Sequence, residues 1–319
     1  MSDTIAGLRR KISSASDLQS VVRSMKALAA SSIGQYDKSV QALGDYYRTV
    51  ELGLSACFLA TQSTVLPVER NRKADEGEIG AVVFGSDQGL VGQFNDIITD
   101  YAIKTLTAMS GKTTVWAVGE RVQARLADAG LNPIGLFAVP NSVQGITPLV
   151  GQIQIESEAH RAEGECSQLY VFHNRPKSGA LYEPVSQRLL PLDEKWQRDL
   201  ANIPWPTMTL PDVMCGGTAT LGALIREYLF ISLFRACAES LASENTSRLA
   251  AMQRADKNID ELLETLNGTY HRLRQDSIDE ELFDVVTGFE ALSPQSGHEN
   301  RAKGVSSRSA KHRAGNEYR

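Results

Sequence analysis

No proline precedes Pro67, and none lies between Pro211 and Pro294. Proline inside a helix removes a backbone donor and clashes with the preceding turn. Two long proline-free stretches, both rich in Ala, Leu, Glu, Gln, Arg and Lys, therefore permit one very long helix at each end of the chain. At the helical rise per residue each would be about 80–120 Å long. An ordinary globular domain uses helices several times shorter. A chain built this way needs a rod.

The first stretch carries a heptad. Ile5, Leu8, Ile12, Ala15, Gln19, Val22, Lys26, Ala29, Ile33, Tyr36, Val40, Leu43, Tyr47, Val50, Leu54 and Cys57 follow one another at spacings of three and four. Only Gln19 and Lys26 interrupt the apolar seam. A seam sustained over this length argues for a coiled coil. Gly34, Gly44 and Gly53 weaken the helix but let a neighbouring backbone approach. The second stretch repeats the habit less cleanly. Ile259, Leu262, Leu266, Tyr270 and Leu273 form one stripe, and Ile278, Leu282, Val285, Phe289 and Leu292 another. Around 221–234 the sequence is apolar on most faces, which calls for burial against several neighbours. Two such helices pair antiparallel if the middle of the chain returns to its starting point.

The middle alternates strand and helix signals. Ile79–Phe84 reads as a strand, followed by Gly85 and Ser86. Asn95 reads as the N-cap of a helix whose apolar face is Ile98, Tyr101, Ala102 and Leu106. Thr113–Val118 is a second strand and Arg121–Ala129 a second helix. Further strands fall at Gly135–Val139, Gln168–His173 and Val185–Leu190, with a helix over Val143–Ala162 between the first two of these. The alternation predicts an α/β layer with a largely parallel, Rossmann-like sheet. The expected fold is α/β plus coiled coil, with two long antiparallel terminal helices. Its expected divisions are a helix over 1–66, an α/β domain over 67–211, a helix over 212–293 and a tail over 294–319. The tail is Ser, Gly, Arg and Lys with almost no apolar residue, and is expected to be disordered.

Charge narrows the partners. Of the net −5, the tail contributes +4, leaving −9 on the rest of the chain. That balance argues against general nucleic-acid binding, while the tail alone could bind an anion. The four cysteines, Cys57, Cys166, Cys215 and Cys237, contain no CxxC pair, so a reducing compartment fits better than a disulfide framework. The N-terminus has no signal-peptide pattern, and no apolar run approaches the roughly 20 residues that span a bilayer. Membrane association is therefore expected only through partners.

Catalytic signals are weak. Gly85 to Gly92 follows a strand and precedes a helix, the setting of a phosphate loop. It has neither of the usual glycine patterns and no lysine, which favours a structural turn. The five histidines have no metal-ligand spacing, and no nucleophile elbow occurs. No cofactor, metal site or catalytic set is expected. Arg9, Arg10, Lys11, Arg23 and Lys26 make the first helix basic. They read either as a solvated face or as a contact for an acidic partner, and the place of Lys26 on the seam favours a specific partner.

Four segments in order resemble one family. Ser24-Met25-Lys26-Ala27-Leu28-Ala29-Ala30-Ser31 is similar to an N-terminal helix motif of the gamma subunit of F-type ATP synthases. The run from Ser86 through Asp87, Gly89 and Gly92 to Asn95 resembles that family's loop. The run from Ala242 to Met252, with Asp256-Lys257-Asn258 after it, resembles its next motif. Tyr270 to Gln275, with Ile278, Glu281, Leu282 and Gly288, resembles its C-terminal signature. The resemblance runs from Ile5 to Leu292.

The resemblance implies a non-catalytic rotor shaft. It couples transmembrane proton or sodium flow to ATP synthesis or hydrolysis on the beta subunits. The implied partners are the alpha and beta subunits of the ring, the epsilon subunit and the membrane c-ring. The implied location is the cytoplasmic side of a bacterial inner membrane, held there through the complex. Met25, Lys26, Arg248 and Gln275 match the family's rotor–stator contacts. Leu282, Val285, Val286, Phe289 and Leu292 match the apolar tip that turns in a sleeve. Gln88, His271 and Asp279 replace the family's Arg, Asn and Thr, and the tail is long. These departures imply a divergent gamma of an alternative, N-type F-ATPase. Two rival readings stand beside this one. A coiled-coil spacer or interaction protein explains the helices but not the ordered C-terminal signature. A nucleotide-binding α/β enzyme would bind ATP or NAD tightly.

Overall fold

The computed structural model describes residues 4–61, 78–109, 111–162, 167–178, 180–192, 196, 199–200, 202–209 and 217–292. Cys166, Cys215, the tail and the three expected domain boundaries lie outside them. The chain forms two compact units, one of Met1–Lys11 with Thr265–Arg319 and one of Ile12–Glu264.

Helix α1 is Ile5–Thr61, 57 residues, and the C-terminal helix α5 is Gly217–Leu292, 76 residues. Between them run β1 Ile79–Phe84, α2 Phe94–Thr107, β2 Thr113–Val118, α3 Glu120–Asp128, β3 Gly135–Phe137, α4 Val143–Ala162, β4 Gln168–Lys177 and β5 Ala180–Leu190. The sheet order is β3-β2-β1-β4-β5. The first four strands are parallel and β5 is antiparallel to β4. The sheet is therefore largely parallel, as the strand–helix alternation requires. β5 begins five residues before the expected strand. Pro184 disguises that start, and an edge strand tolerates it.

Strand β1 is buried along its whole length, and its side chains alternate between two cores. Ile79, Ala81 and Val83 pack with Ile98, Ala102 and Leu106 of α2 and with Val122 and Leu126 of α3. Val82 and Phe84 face the other side. There Tyr36, Val50 and Leu54 of α1, Ile146 and Val150 of α4, and Tyr228, Leu233 and Leu241 of α5 close the second core. The apolar run near 221–234 is thus explained by burial against α1, α4 and the sheet.

Within this unit α1 and α5 run antiparallel. Gly53 lies against Leu224, Tyr46 Oη donates to Glu227 Oε1 at 2.6 Å, and Lys26 Nζ meets Asp256 Oδ2 at 3.1 Å. Numbers fall along one helix as they rise along the other. The three glycines do not face a neighbouring backbone as expected. A Cβ on Gly53 would meet Leu224 side-chain carbons at 3.3 Å, but Gly34 and Gly44 face open space. Asn95 is not an N-cap. Helix α2 starts one residue earlier, after Gln93, and the Asn95 side chain turns back to Ser86.

Candidate functional site

Strand β1 delivers the chain into the loop from Gly85 to Gln93, at the carboxyl end of the parallel strands. Its polar side chains are spent on neighbouring loops. The Ser86 N–H donates to Asn95 Oδ1 at 3.0 Å, and Asn95 Nδ2 donates to Ser86 Oγ at 2.8 Å. Asp87 Oδ1 accepts from the Glu120 N–H at 3.0 Å, and Oδ2 from the Val139 N–H at 2.9 Å. Gly119 has φ +111°, and a Cβ there would stand 2.8 Å from Ser86 backbone atoms. Ser86, Asp87 and Asn95 hold the loop to the turns after β2 and β3.

Strand order reverses at β1, with β2 and β3 on one side and β4 on the other. In a nucleotide-binding sheet this reversal opens the ligand crevice. Here α5 covers it. Ser247 Oγ donates to the Val91 carbonyl at 2.5 Å, and Ser243 Oγ donates to the Asn174 carbonyl at 3.0 Å. Asn174 Nδ2 in turn donates to the Phe94 carbonyl at 3.0 Å. The strand–loop–helix motif is a socket for a helix.

A second attachment lies one turn of α5 away. Glu239 Oε2 accepts from His173 Nε2 of β4 at 2.8 Å and from Arg175 Nε of β4 at 3.2 Å. Its Oε1 accepts from Arg235 Nε of α5 at 2.7 Å. Both His173 and Glu239 are buried. Burial alone would push the Glu239 carboxyl up. The hydrogen bonds from His173 and Arg235 outweigh it and hold the carboxyl down at about 2. Burial pushes His173 below the usual imidazole range, so it sits as the neutral Nε2–H tautomer at neutral pH. The sequence reading singled out neither Glu239 nor Asn174. The available signal was a charged residue, Glu239, inside an apolar helical run.

The family-matched contact residues fall in both units. Met25 packs against the cluster of Val22, Met252 and Ile259. Lys26 is bonded to Asp256, which also takes Arg23 Nε at 3.2 Å. The Lys26 hydrogen bond, followed by that of Arg23, depresses the Asp256 carboxyl. Gln19 donates to Asp260 and, at 3.4 Å, to Asp256. The two interruptions of the seam thus have acidic partners on the facing helix, where polar pairs fix pairing register. Arg248 NH2 meets Glu244 Oε1 at 2.5 Å, and NH1 meets Asn245 Oδ1 at 3.2 Å.

In the other unit Gln275 and Asp279 are exposed. Leu282, Val285, Val286 and Phe289 are exposed on α5, Phe289 at 74%. Leu292 is the last helical residue. Among the described residues no His, Cys, Asp and Glu group could hold a metal, and no helix is long and apolar enough to cross a membrane.

The family model described as ATP synthase matches residues 4–292. An ATP synthase gamma chain of Nitrosomonas eutropha is 25% identical over 297 residues, covering 89% of this chain and 98% of that one. Two solved structures share the fold. One is a Euglena gracilis mitochondrial ATP synthase, with TM-score 0.55 and 15% identity, covering 92% of this chain and 98% of that chain. The other is the central stalk and c-ring of Tetrahymena thermophila mitochondrial ATP synthase, with TM-score 0.51 and 19% identity, covering 74% and 99%. The two antiparallel helices, the sheet they cover and the motif run from end to end are accounted for together: the chain belongs to the ATP synthase family, as the non-catalytic gamma subunit of the central stalk.

Proposed function

We propose that this chain turns as the shaft of a rotary F-type enzyme and carries torque between a membrane c-ring and an alpha–beta ring. The observation that carries this reading is the double attachment of α5 to the sheet, through Ser243 and Ser247 in the socket and through Glu239 on β4. A helix fixed at two levels to a packed domain transmits rotation instead of slipping. Packed interfaces of this kind have discrete arrangements, so turning an asymmetric shaft biases each bistable partner in sequence.

Met25, Lys26, Arg248 and Gln275 serve as rotor–stator contacts. Leu282, Val285, Val286, Phe289 and Leu292 form the tip that turns in an apolar sleeve, an assignment supported by the exposure of the first four. The α/β domain takes the foot, beside epsilon and the c-ring. The divisions at 66, 211 and 293 separate shaft, foot and tail. The coupling ion is proton or sodium, in an alternative F-type complex on the cytoplasmic face of a bacterial inner membrane. The basic tail of 294–319 favours an acidic surface of that complex.

Reconstitution tests the reading. The pure chain is expected to hydrolyse no ATP, and the alpha–beta complex formed with it is expected to hydrolyse ATP by rotation of this chain. Hydrolysis by the pure chain, or an alpha–beta complex whose turnover is indifferent to its presence, would overturn the reading.

A further inference from the structure

Helix α5 changes character in its last turns. From Gln275 to Leu292 it carries six carboxylates and no Lys, Arg or His. At about 100° per residue the end of the helix has two faces. Ile278, Leu282, Val285, Val286 and Phe289 fall on one. Asp276, Asp279, Glu280, Asp284 and Glu290 fall on the opposite one, with Phe283 among them. The side chains of both faces are exposed. An open hollow lies between Asp276, Asp279, Glu280 and Phe283. Among the described residues none of the five carboxylates of that face has an ion-pair partner. The arrangement opposes itself. Asp276 and Glu280, and Glu280 and Asp284, are like charges one turn apart, which weakens a helix. They stand toward the negative end of the helix dipole, and the last turn has no basic residue to offset it.

Charge and chain length select the occupant. The segment that follows the helix carries Arg301, Lys303, Arg308, Lys311, Arg313 and Arg319 against Glu299 and Glu317. The acidic face, from Glu290 back to Asp276, is about 21 Å long. The segment, fully extended, reaches roughly 85 Å, so its cations can return along the whole face. Pro294 and Gly297 suit a reversal of the chain between the two. Covalent attachment holds those cations at an effective concentration on the order of millimolar. Four of the six are arginines. A guanidinium pairs with carboxylates in its plane and stacks on an aromatic ring, which is what the hollow beside Phe283 offers.

We propose that the acidic face of α5, Asp276 to Glu290, is the docking surface for the chain's own basic segment 294–319. The proposal rests on the reading of that segment as a binder of acidic surface and specifies which surface. The segment relieves the repulsion along the helix end and leaves the opposite, apolar face uncovered by it.

The test uses the full chain alone, so its failure is distinct from failure of the rotor reading. Carbodiimide joins an amine to a carboxylate only where the two touch, and the segment offers Lys303 and Lys311. Mass spectrometry of the proteolysed product is expected to show links from these lysines to carboxylates between Asp276 and Glu290. Their yield should not depend on chain concentration and should fall about tenfold between roughly 0.05 M and 1 M salt. Truncation after Ser293 should speed amide exchange over 276–290 about fivefold at low salt, the effect of a few unrelieved like-charge pairs, and leave it unchanged at high salt. Links whose yield grows with concentration would make the partner a second copy and overturn the proposal. Links spread over carboxylates elsewhere in the chain, or no links, would overturn it too. Exchange indifferent to the truncation would do the same. Because the links are read on the unaltered chain, the result stands even if the truncated chain fails to fold.

Discussion

Glu239→Gln removes the charge at the centre of the attachment between α5 and β4 while keeping its shape. The native carboxyl is held at about 2 against an ordinary 4.5. A carboxyl held that low adds at most about 3 kcal/mol to stability at neutral pH. Arg175 and Arg235 are about half exposed, so water screens them, and about 1–2 kcal/mol is the expected loss. The sign of the pH dependence follows from both groups. The folded pKa of Glu239 lies below the unfolded one, so its contribution is complete above 4.5 and is lost as pH falls toward 2. His173 is also depressed from 6.5, chiefly by burial. Below 6.5 the unfolded chain takes up that proton more readily, and stability falls in both proteins. The variant has no carboxylate to meet the imidazolium when it forms. The gap between the two proteins should therefore widen as pH drops below 6.5 and close again below 4.5. Urea unfolding of the full chain and variant across this range measures it. A gap that is absent at neutral pH, or that stays constant through the acid limb, would refute an electrostatic attachment.

Three further outcomes are expected. Asn95→Ala strips the Ser86 N–H and hydroxyl of their shared partner and should cost about 2–3 kcal/mol in unfolding experiments, since two buried hydrogen bonds go at once. Gly119→Ala forces a Cβ onto Ser86 backbone at a positive φ and should cost about 3 kcal/mol, measured in the same way. Phe289→Asp should leave the unfolding of the isolated chain unchanged within about 0.5 kcal/mol, because the ring is exposed. In the reconstituted complex it should lower yield or hydrolysis, and an unaffected complex counts against the sleeve.

Local pattern made much of the fold legible. The run from Val143 to Ala162 reads as one helix with the bounds it has, despite Pro148 inside it. Strand Ile79–Phe84 is apolar throughout, and Thr113–Val118 is apolar from Val115 on, because both faces of the sheet are covered. Asn95 shows where pattern misleads. Its residue type favours a cap, but Ser86 offers its side chain a better partner nine residues back, and the helix starts without it. The attachments of α5 were beyond local reading for the same reason. His173 and Glu239 stand 66 residues apart in the chain, and Val91 and Ser247 stand 156 apart. Val91, Ser247 and His173 look ordinary until the fold brings their partners to them, and Glu239, a charge in an apolar run, does not say which residue meets it. Lys26 is intermediate: its place on the seam favours a specific partner, but nothing local says that Asp256 of the same chain bonds to it.

The socket at the end of β1 explains how a nucleotide-binding architecture comes to serve a shaft. A parallel sheet with helices on both faces leaves a crevice where strand order reverses, and that crevice has unsatisfied backbone carbonyls at its rim. A ligand can satisfy them, or another part of the chain can. Here the Asn174 carbonyl is met by Ser243, and the Val91 carbonyl, which also accepts from the Phe94 N–H at 3.3 Å, by Ser247 one turn along α5. A cofactor would leave and return, and a covalently continuous helix does not. Ser243 and Ser247 therefore tie the helix to the strand ends and add stiffness there. The small size of the serines lets the helix backbone approach the strand ends closely enough for both bonds. A larger side chain at either position would hold the helix off the strand ends and weaken the mount, leaving the Glu239 attachment to β4 to carry it alone.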